Sequence, residues 1–490
     1  MKSRATLWLG AASAADYAAQ LLLPVLLVRS LAPADFGGYR LLWMAAQTAA
    51  LVLSLNMALN LVYFAPRHPP QRRGALLGNV LVFLLGAGLL AAMLSSTLMG
   101  LTGGSLDRLL PVWAMPAFVC AWMVSLPFDQ IGLVAGQPRA QARLTMVQTA
   151  LRIGLLGAAA WWSRSLAGVA LAMIALAVGR LLLVLAYAKC SGAFGSLRPD
   201  ATIAKAQLRY GFGFGLGASL FALRSQADGW ITAALFDPVA VATISVALAI
   251  VPVIGVIRQT YTSATMAEVA RLLAMKHTMA ALQINRRANI STAMFVFPLI
   301  GGFCAVAPDA ISLVYTPAYV GAATPARIYA LAYAVSALEL SSVVQALGEG
   351  RFVMRSGAVL LAVGALATLV GAFVWGLPGI ALGSLLAMWL GSAWNVQRVA
   401  ARCQLPWSAL QPWREVALLF AVATLACAVS LAALSHFAAG TTLQRVLAGG
   451  SCFLSCHLAL VVMVAPARRL HLSNWRNDGS AVALAPSSQS

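Results

Sequence analysis

Arg152 closes a row of polar residues, Gln141, Thr145 and Gln148 before it, spaced 4, 3 and 4 apart. On a helix that spacing puts all four side chains on one face. The surrounding residues are apolar over a length that crosses a hydrocarbon core of about 30 Å. The face therefore ends in a cation at bilayer depth, where it costs about 2.5–3.5 kcal/mol on an insertion scale. Lipid rejects such a face, so it should line a wet cavity. A guanidinium there offers a fork of donors that grips phosphate oxygens in pairs.

Other apolar stretches hold comparable groups. Arg224 and Asp228 stand four apart, Asp16 and Gln20 likewise, and Asn56 and Asn60 share a face. Arg258 lies near the end of its stretch, and Glu339 sits between Ser336 and Ser342. Arg152, Arg224, Arg258, Gln148, Asn56 and Asn60 are thus candidates for binding an anionic substrate. Asp16, Asp228 and Glu339 are candidates for coupling to protons or sodium. Each has a blander alternative. Arg224 and Asp228 can neutralise each other and seal a helix interface, the carboxylates can partner nearby arginines, and Arg258 can snorkel to the surface. Arg152 has no acidic residue on its own helix.

The elements that must position these groups follow from composition. Of 490 residues, 61% are hydrophobic and 9% charged, with a mean hydropathy of +0.85. A soluble surface needs about 25% charged residues, so the class is an all-α polytopic membrane protein. About fourteen spans are predicted, from 5–30 to 444–466. With the N-terminus inside, 23 of the 33 Lys and Arg fall in cytoplasmic stretches and six on the opposite side. That asymmetry follows the positive-inside rule, so the net charge of +20 needs no nucleic-acid partner. Both termini are expected in the cytoplasm. No connection on the outer side is long enough for a catalytic domain. No phosphate-binding glycine loop is present, and the seven scattered Cys match no disulfide or zinc framework. No cofactor, metal or catalytic residue is expected. The alternating glycines Gly211, Gly213, Gly215 and Gly217 read as close helix packing.

The chain also repeats. Gly136-Gln137-Pro138-Arg139 with Arg143 returns as Gly348-Glu349-Gly350-Arg351 with Arg355, and Ala167–Leu171 returns as Pro378–Leu382. Leu31–Gly37 is echoed by Phe236–Ala242. The predicted organisation is a six-helix bundle over 1–200, a second over 201–405, two additional helices over 406–466 and a disordered cytoplasmic tail over 467–490. Six spans is an even number, so the halves share one orientation and are related by an axis along the membrane normal.

Several motifs, in order, carry a resemblance. Leu31-Ala32-Pro33-Ala34-Asp35-Phe36-Gly37-Gly38-Tyr39 resembles L-G-P-x-x-F-G-x-Y, with Ala32 in place of the first glycine. Asn56 to Arg67, Tyr210-Gly211-Phe212, Ala227–Ile231, Leu313–Tyr319 with Ala323, and Leu347–Arg351 extend it. Together they resemble the polysaccharide-transport, Wzx-like branch of the multidrug/oligosaccharidyl-lipid/polysaccharide (MOP) exporter superfamily. The resemblance implies two six-helix bundles forming a V around a central cavity, in a bacterial inner membrane. It also implies alternating access to a polyprenyl-diphosphate-linked oligosaccharide, with a glycan polymerase and export proteins as candidate partners. Two alternatives stay open: a cation-coupled multidrug efflux antiporter of the same fold, and a non-transporting scaffold of a glycan-assembly complex.

Overall fold

The computed structural model describes the backbone of residues 2–101, 109–436 and 440–464, with side chains described throughout except at 2–7, 98–101, 213–218 and 220–222. The predicted tail over 467–490 and the glycines Gly213, Gly215 and Gly217 lie outside the residues so described.

Proximity along the fold divides the chain into two compact units, Met1–Ser245 and Val246–Ser490. The first unit holds α1 (Lys2–Ser30), α2 (Pro33–Val52), α3 (Met57–Phe64), α4 (Pro70–Leu101), α5 (Ala114–Val124), α6 (Ile131–Val134), α7 (Pro138–Ser163), α8 (Leu166–Cys190) and α9 (Ala201–Leu235). It also holds most of α10 (Pro238–Ala247). The second holds α11 (Val251–Ala274), α12 (Thr278–Val314), α13 (Ala323–Tyr333), α14 (Ser341–Ala346), α15 (Gly350–Trp375), α16 (Leu377–Cys403), α17 (Trp413–His436) and α18 (Thr442–Met463). No strand occurs among the described residues. That is the expected outcome for a chain whose backbone polar groups must be satisfied within each span.

Ten of these helical stretches are long and apolar enough to cross a membrane, or eleven if α2 and α3 form one span bent by 46°. The fold is polytopic and all-helical. Of the fourteen predicted spans, 108–135 and 324–347 are helical but broken: a 3-10 turn at Leu126–Asp129 separates α5 from α6, and another at Ala334–Leu338 separates α13 from α14. Proline starts explain several helix boundaries, since Pro33, Pro70, Pro138 and Pro238 stand at first positions, where a missing N–H costs nothing. Asp200 caps α9, its carboxylate accepting from the Thr202 and Ile203 amides. With the Thr202 hydroxyl as the largest cause, its carboxyl is held below the ordinary aspartate range.

Within the first unit, α1 packs on α7, α5 on α4 and α8, and α9 on α2, α3 and α4. Gly211 permits the α9–α3 approach: a Cβ there would stand 2.9 Å from both the Asn60 amide and the Leu55 carbonyl. The two motif copies also abut, since a Cβ on Gly37 would overlap the Pro238 carbonyl. Within the second unit, α15 pairs with α16, and α12 carries the C-terminal pair α17 and α18. There Phe453 lies against Gly301 and Gly302, and the Ser430 hydroxyl donates to the Gly449 carbonyl at 2.8 Å.

Candidate functional site

Arg152 meets its counter-ion on another helix. Its Nη2 donates to Asp16 Oδ1 at 2.8 Å across the α1–α7 interface, with a longer contact of 3.4 Å to the Asp16 carbonyl. Asp16 also accepts from the Thr149 hydroxyl at 2.9 Å and from the Gln20 amide at 2.8 Å. The Arg152 side chain is 7% exposed and Asp16 26%. The Arg152 Nε is buried with no partner among the described residues. Buried Tyr39, on α2, lies in electrostatic reach of both Arg40 and Arg152. The cluster thus joins one substrate-binding and one ion-coupling candidate in a single pair. It adds Thr149 and Tyr39, which the spacing rule did not reach because they come from the neighbouring face and from α2.

The rest of the α7 polar face divides its work. Gln148 is buried. Gln141 is committed to structure, accepting from the Gly132 amide at 2.9 Å and donating to the Phe128 carbonyl at 3.1 Å. It secures the break between α5 and α6, where helical bonds are missing.

Arg224 and Asp228 lie on α9, in the same compact unit as Arg152 but on a different seam, because α9 packs on α2 whereas α7 packs on α1 and α8. Arg224 is half-buried and Asp228 buried, and both are engaged with other groups. The α2–α9 seam is polar beside them: Gln226 donates to Gln47 at 3.3 Å and the Trp230 indole to Thr48 at 3.0 Å. Asn60 is buried and donates to the Gln207 carbonyl at 3.2 Å, tying α3 to α9. Asn56 stands at the α2–α3 break with φ 55°, a left-handed conformation that asparagine tolerates better than most residues.

In the second unit Arg258 and Glu339 come together at 3.6 Å, the arginine 42% exposed and the carboxylate 8%. Glu339 occupies the α13–α14 break, where its carboxylate accepts from the Ser342 amide and hydroxyl. Its backbone carbonyl accepts from Asn285 and Asn289, each at 3.0 Å. Gln411 donates to the adjacent Leu338 carbonyl at 3.0 Å and accepts from Asn289 at 2.8 Å. The break in the first unit has a similar device. Asp129, beside the α5–α6 break, accepts from Arg180 at 2.8 Å. That guanidinium stacks 4.4 Å over Trp122 and 4.8 Å over Phe128. Arg180 is buried, at 3% exposed, while its partner Asp129 is exposed. The sequence signals for these clamps are an Asn-x-x-x-Asn spacing on α12 and an acid directly after Pro127-Phe128.

No family model matches the chain, and no curated protein matches it. Solved structures do. A lipid II flippase, MurJ, in an inward closed conformation aligns with a TM-score of 0.63 at 12% identity, over 94% of this chain and 99% of that one. An inward-facing multidrug resistance MATE family transporter of the MOP superfamily aligns at 0.56 and 15% identity, over 79% of this chain and 95% of that one. A Vibrio cholerae MATE transporter aligns at 0.54 and 16%, over 81% and 96%. The chain has the fold these membrane transporters share.

Proposed function

We propose that this chain is a flippase carrying a polyprenyl-diphosphate-linked oligosaccharide from the cytoplasmic to the periplasmic leaflet of a bacterial inner membrane, for assembly of a surface polysaccharide. The observation that carries this reading is the reach of the fold match. Only 6% of the chain lies outside its alignment with the lipid II flippase. The C-terminal pair α17 and α18 occupies more than that, so the alignment takes in part of it. The two multidrug transporters leave about a fifth of the chain unmatched.

The buried cations supply the chemistry. A guanidinium carries five donors, and Arg152 spends only part of them on Asp16. In the proposed cycle Asp16 holds Arg152 in place until the diphosphate arrives. Phosphate oxygens then replace the carboxylate on the guanidinium, and Asp16 takes up a proton, so no unpaired charge remains buried. Release on the far side gives the proton up there and restores the pair, so one proton crosses with each cargo. Arg152 is the binding residue in this scheme and Asp16 the coupling residue. Arg224 and Asp228 would act in the same way on the α2–α9 seam.

The test is translocation of a fluorescent lipid-linked saccharide by purified protein in proteoliposomes, together with identification of the lipid-linked intermediate that accumulates on depletion in cells. Wild-type protein should flip the lipid. Arg152→Ala should abolish flipping while leaving membrane protein levels intact, and Asp16→Asn should remove its dependence on a pH gradient. Altered drug susceptibility with normal glycan export would instead assign cation-coupled efflux. A glycan defect without translocation by the purified protein would assign a scaffold.

A further inference from the structure

Where α15 begins and α16 ends, a cavity of about 460 Å³ is lined by Glu349, Arg351, Phe352, Arg355, Arg398, Arg402 and the Gly348 backbone. Two of these guanidinium groups converge on the one carboxylate, and the other two line the cavity beside it. Arg398 Nε donates to Glu349 Oε2 at 3.1 Å, its Nη2 reaches the same oxygen, and Arg402 Nε takes Oε1. Both oxygens are thereby occupied, and Glu349 is 6% exposed. Among the described residues no carboxylate pairs with Arg351 or Arg355. These two stand four apart on one face of α15, and Arg398 and Arg402 stand four apart on α16. Like charges at that spacing repel, and the lining keeps a net charge of about three positive units after Glu349 is counted. The N-terminus of α15 adds its own positive field.

Arg398 is also held in place, whereas Arg351 and Arg355 are exposed. The Arg398 guanidinium lies 5.3 Å over the Phe352 ring, and Phe352 meets Trp394 edge-on at 5.7 Å. Both helices are apolar enough to cross a membrane, so the cavity sits at a membrane surface, the one the charge pattern assigns to the cytoplasm. The positive-inside rule accounts for arginines at this end. It does not account for their convergence on a cavity around a single buried carboxylate.

We infer that this corner binds a phosphate-ester group, gripped by Arg351 and Arg355 and by the donors of Arg398 and Arg402 that Glu349 leaves unused. The phosphate can come from a lipid headgroup in the same leaflet or from a soluble phosphate compound, since both present the same oxygens. Glu349 is a positioning residue: it holds the α16 arginines against the opening of α15. The site belongs to the second unit alone and stands whatever cargo crosses the membrane.

The experiment follows thermal unfolding of the full-length protein in two settings: in detergent micelles titrated with sodium pyrophosphate, and in nanodiscs of phosphatidylcholine with and without phosphatidylglycerol. Wild-type protein should be stabilised in at least one. Arg351→Ala with Arg355→Ala should lose at least about tenfold in apparent affinity, the effect of removing two charge-assisted donors. Arg139→Ala with Arg143→Ala, at the repeat-related position of the first unit, should bind as wild type. Stabilisation by pyrophosphate in micelles would assign a soluble source, and stabilisation confined to anionic nanodiscs a lipid headgroup; either supports the site. Should the alanine variant fail to fold, Arg351→Lys with Arg355→Lys keeps the charge and loses the two-pronged donor, so it must still weaken binding. An unaltered response in the Arg351/Arg355 variants would overturn the site. So would an equal loss in the Arg139/Arg143 variant, or no response to either probe.

Discussion

Two corners of the molecule share one turn and differ in the charge they build on it. In the first unit, Gly136 has φ 74° and its amide donates to Leu133, while Gln137 donates to Gly132. In the second, Gly348 has φ 74° and donates to Gln345, while Glu349 donates to Val344. Each is a helix end closed by a left-handed glycine with paired reverse bonds, and each is followed by arginines four apart, Arg139 and Arg143 or Arg351 and Arg355. The partners differ. Gln137 accepts from the Tyr187 hydroxyl at 2.9 Å, whereas Glu349 accepts from Arg398 and Arg402. Tyr187 and Arg398 correspond at the repeat offset seen between Ala167–Leu171 and Pro378–Leu382. Backbone geometry is thus common to both corners while side-chain charge has diverged. A turn constrains φ and hydrogen bonding but leaves the outward chemistry open.

The largest expected effect comes from converting one corner into the other. Glu349→Gln with Arg398→Tyr and Arg402→Ser gives the second corner the neutral residues that the first has at Gln137, Tyr187 and Ser191. Arg351 and Arg355 are then the only cations of the lining, and anion affinity measured by thermal shift should fall about tenfold or more. An unchanged affinity would mean the charge difference is without consequence. Next, Gly136→Ala and Gly348→Ala should each cost about 1 kcal/mol in thermal unfolding, the cost of a left-handed Cβ. Neither glycine has an atom within 4 Å of where the Cβ would stand, so the two costs should match. Unequal costs would break the equivalence of the turns. Tyr187→Phe removes one partly exposed hydrogen bond and should cost only about 0.5 kcal/mol.

The smallest effect is a pH dependence confined to the second corner. The Arg398 hydrogen bond, with that of Arg402, holds the Glu349 carboxyl below the ordinary glutamate range. A carboxyl so lowered contributes stability that is fully present above its unfolded value, about 4.3. It is lost as pH falls through the lower folded value. The stability difference between wild type and Glu349→Gln should therefore be flat from about pH 8 to pH 5 and close below that. A difference that closes near neutrality would show that the arginines do not hold the carboxylate.

Much of the candidate site was legible from residues alone. An arginine or carboxylate in an apolar stretch announces itself, and Arg152, Asp16, Arg258, Glu339, Arg224 and Asp228 all stood out on that ground. Which of them pair across helices did not. Asp16 lies 136 residues from Arg152 in the chain, and no periodicity on α7 points to it. Gln141, read as part of a wet face, turned out to brace a helix break, because a break leaves carbonyl and amide groups that must be bonded somewhere.

From the sequence came what is local and additive: the helical class, the apolar spans, the lopsided charge of alternate connections and the repeated Gly-x-x-Arg turn. Each depends on a window of neighbouring residues, whose hydropathy and φ preferences sum without reference to the rest of the chain. Only the tertiary structure decided which charges neutralise each other and which stay in surplus. Pairing requires two helices to meet in a given rotation, and that is set by packing of their entire faces. Hence Arg152 is matched by Asp16 across an interface, while Arg351 and Arg355 face a cavity with more positive charge than Glu349 can cancel.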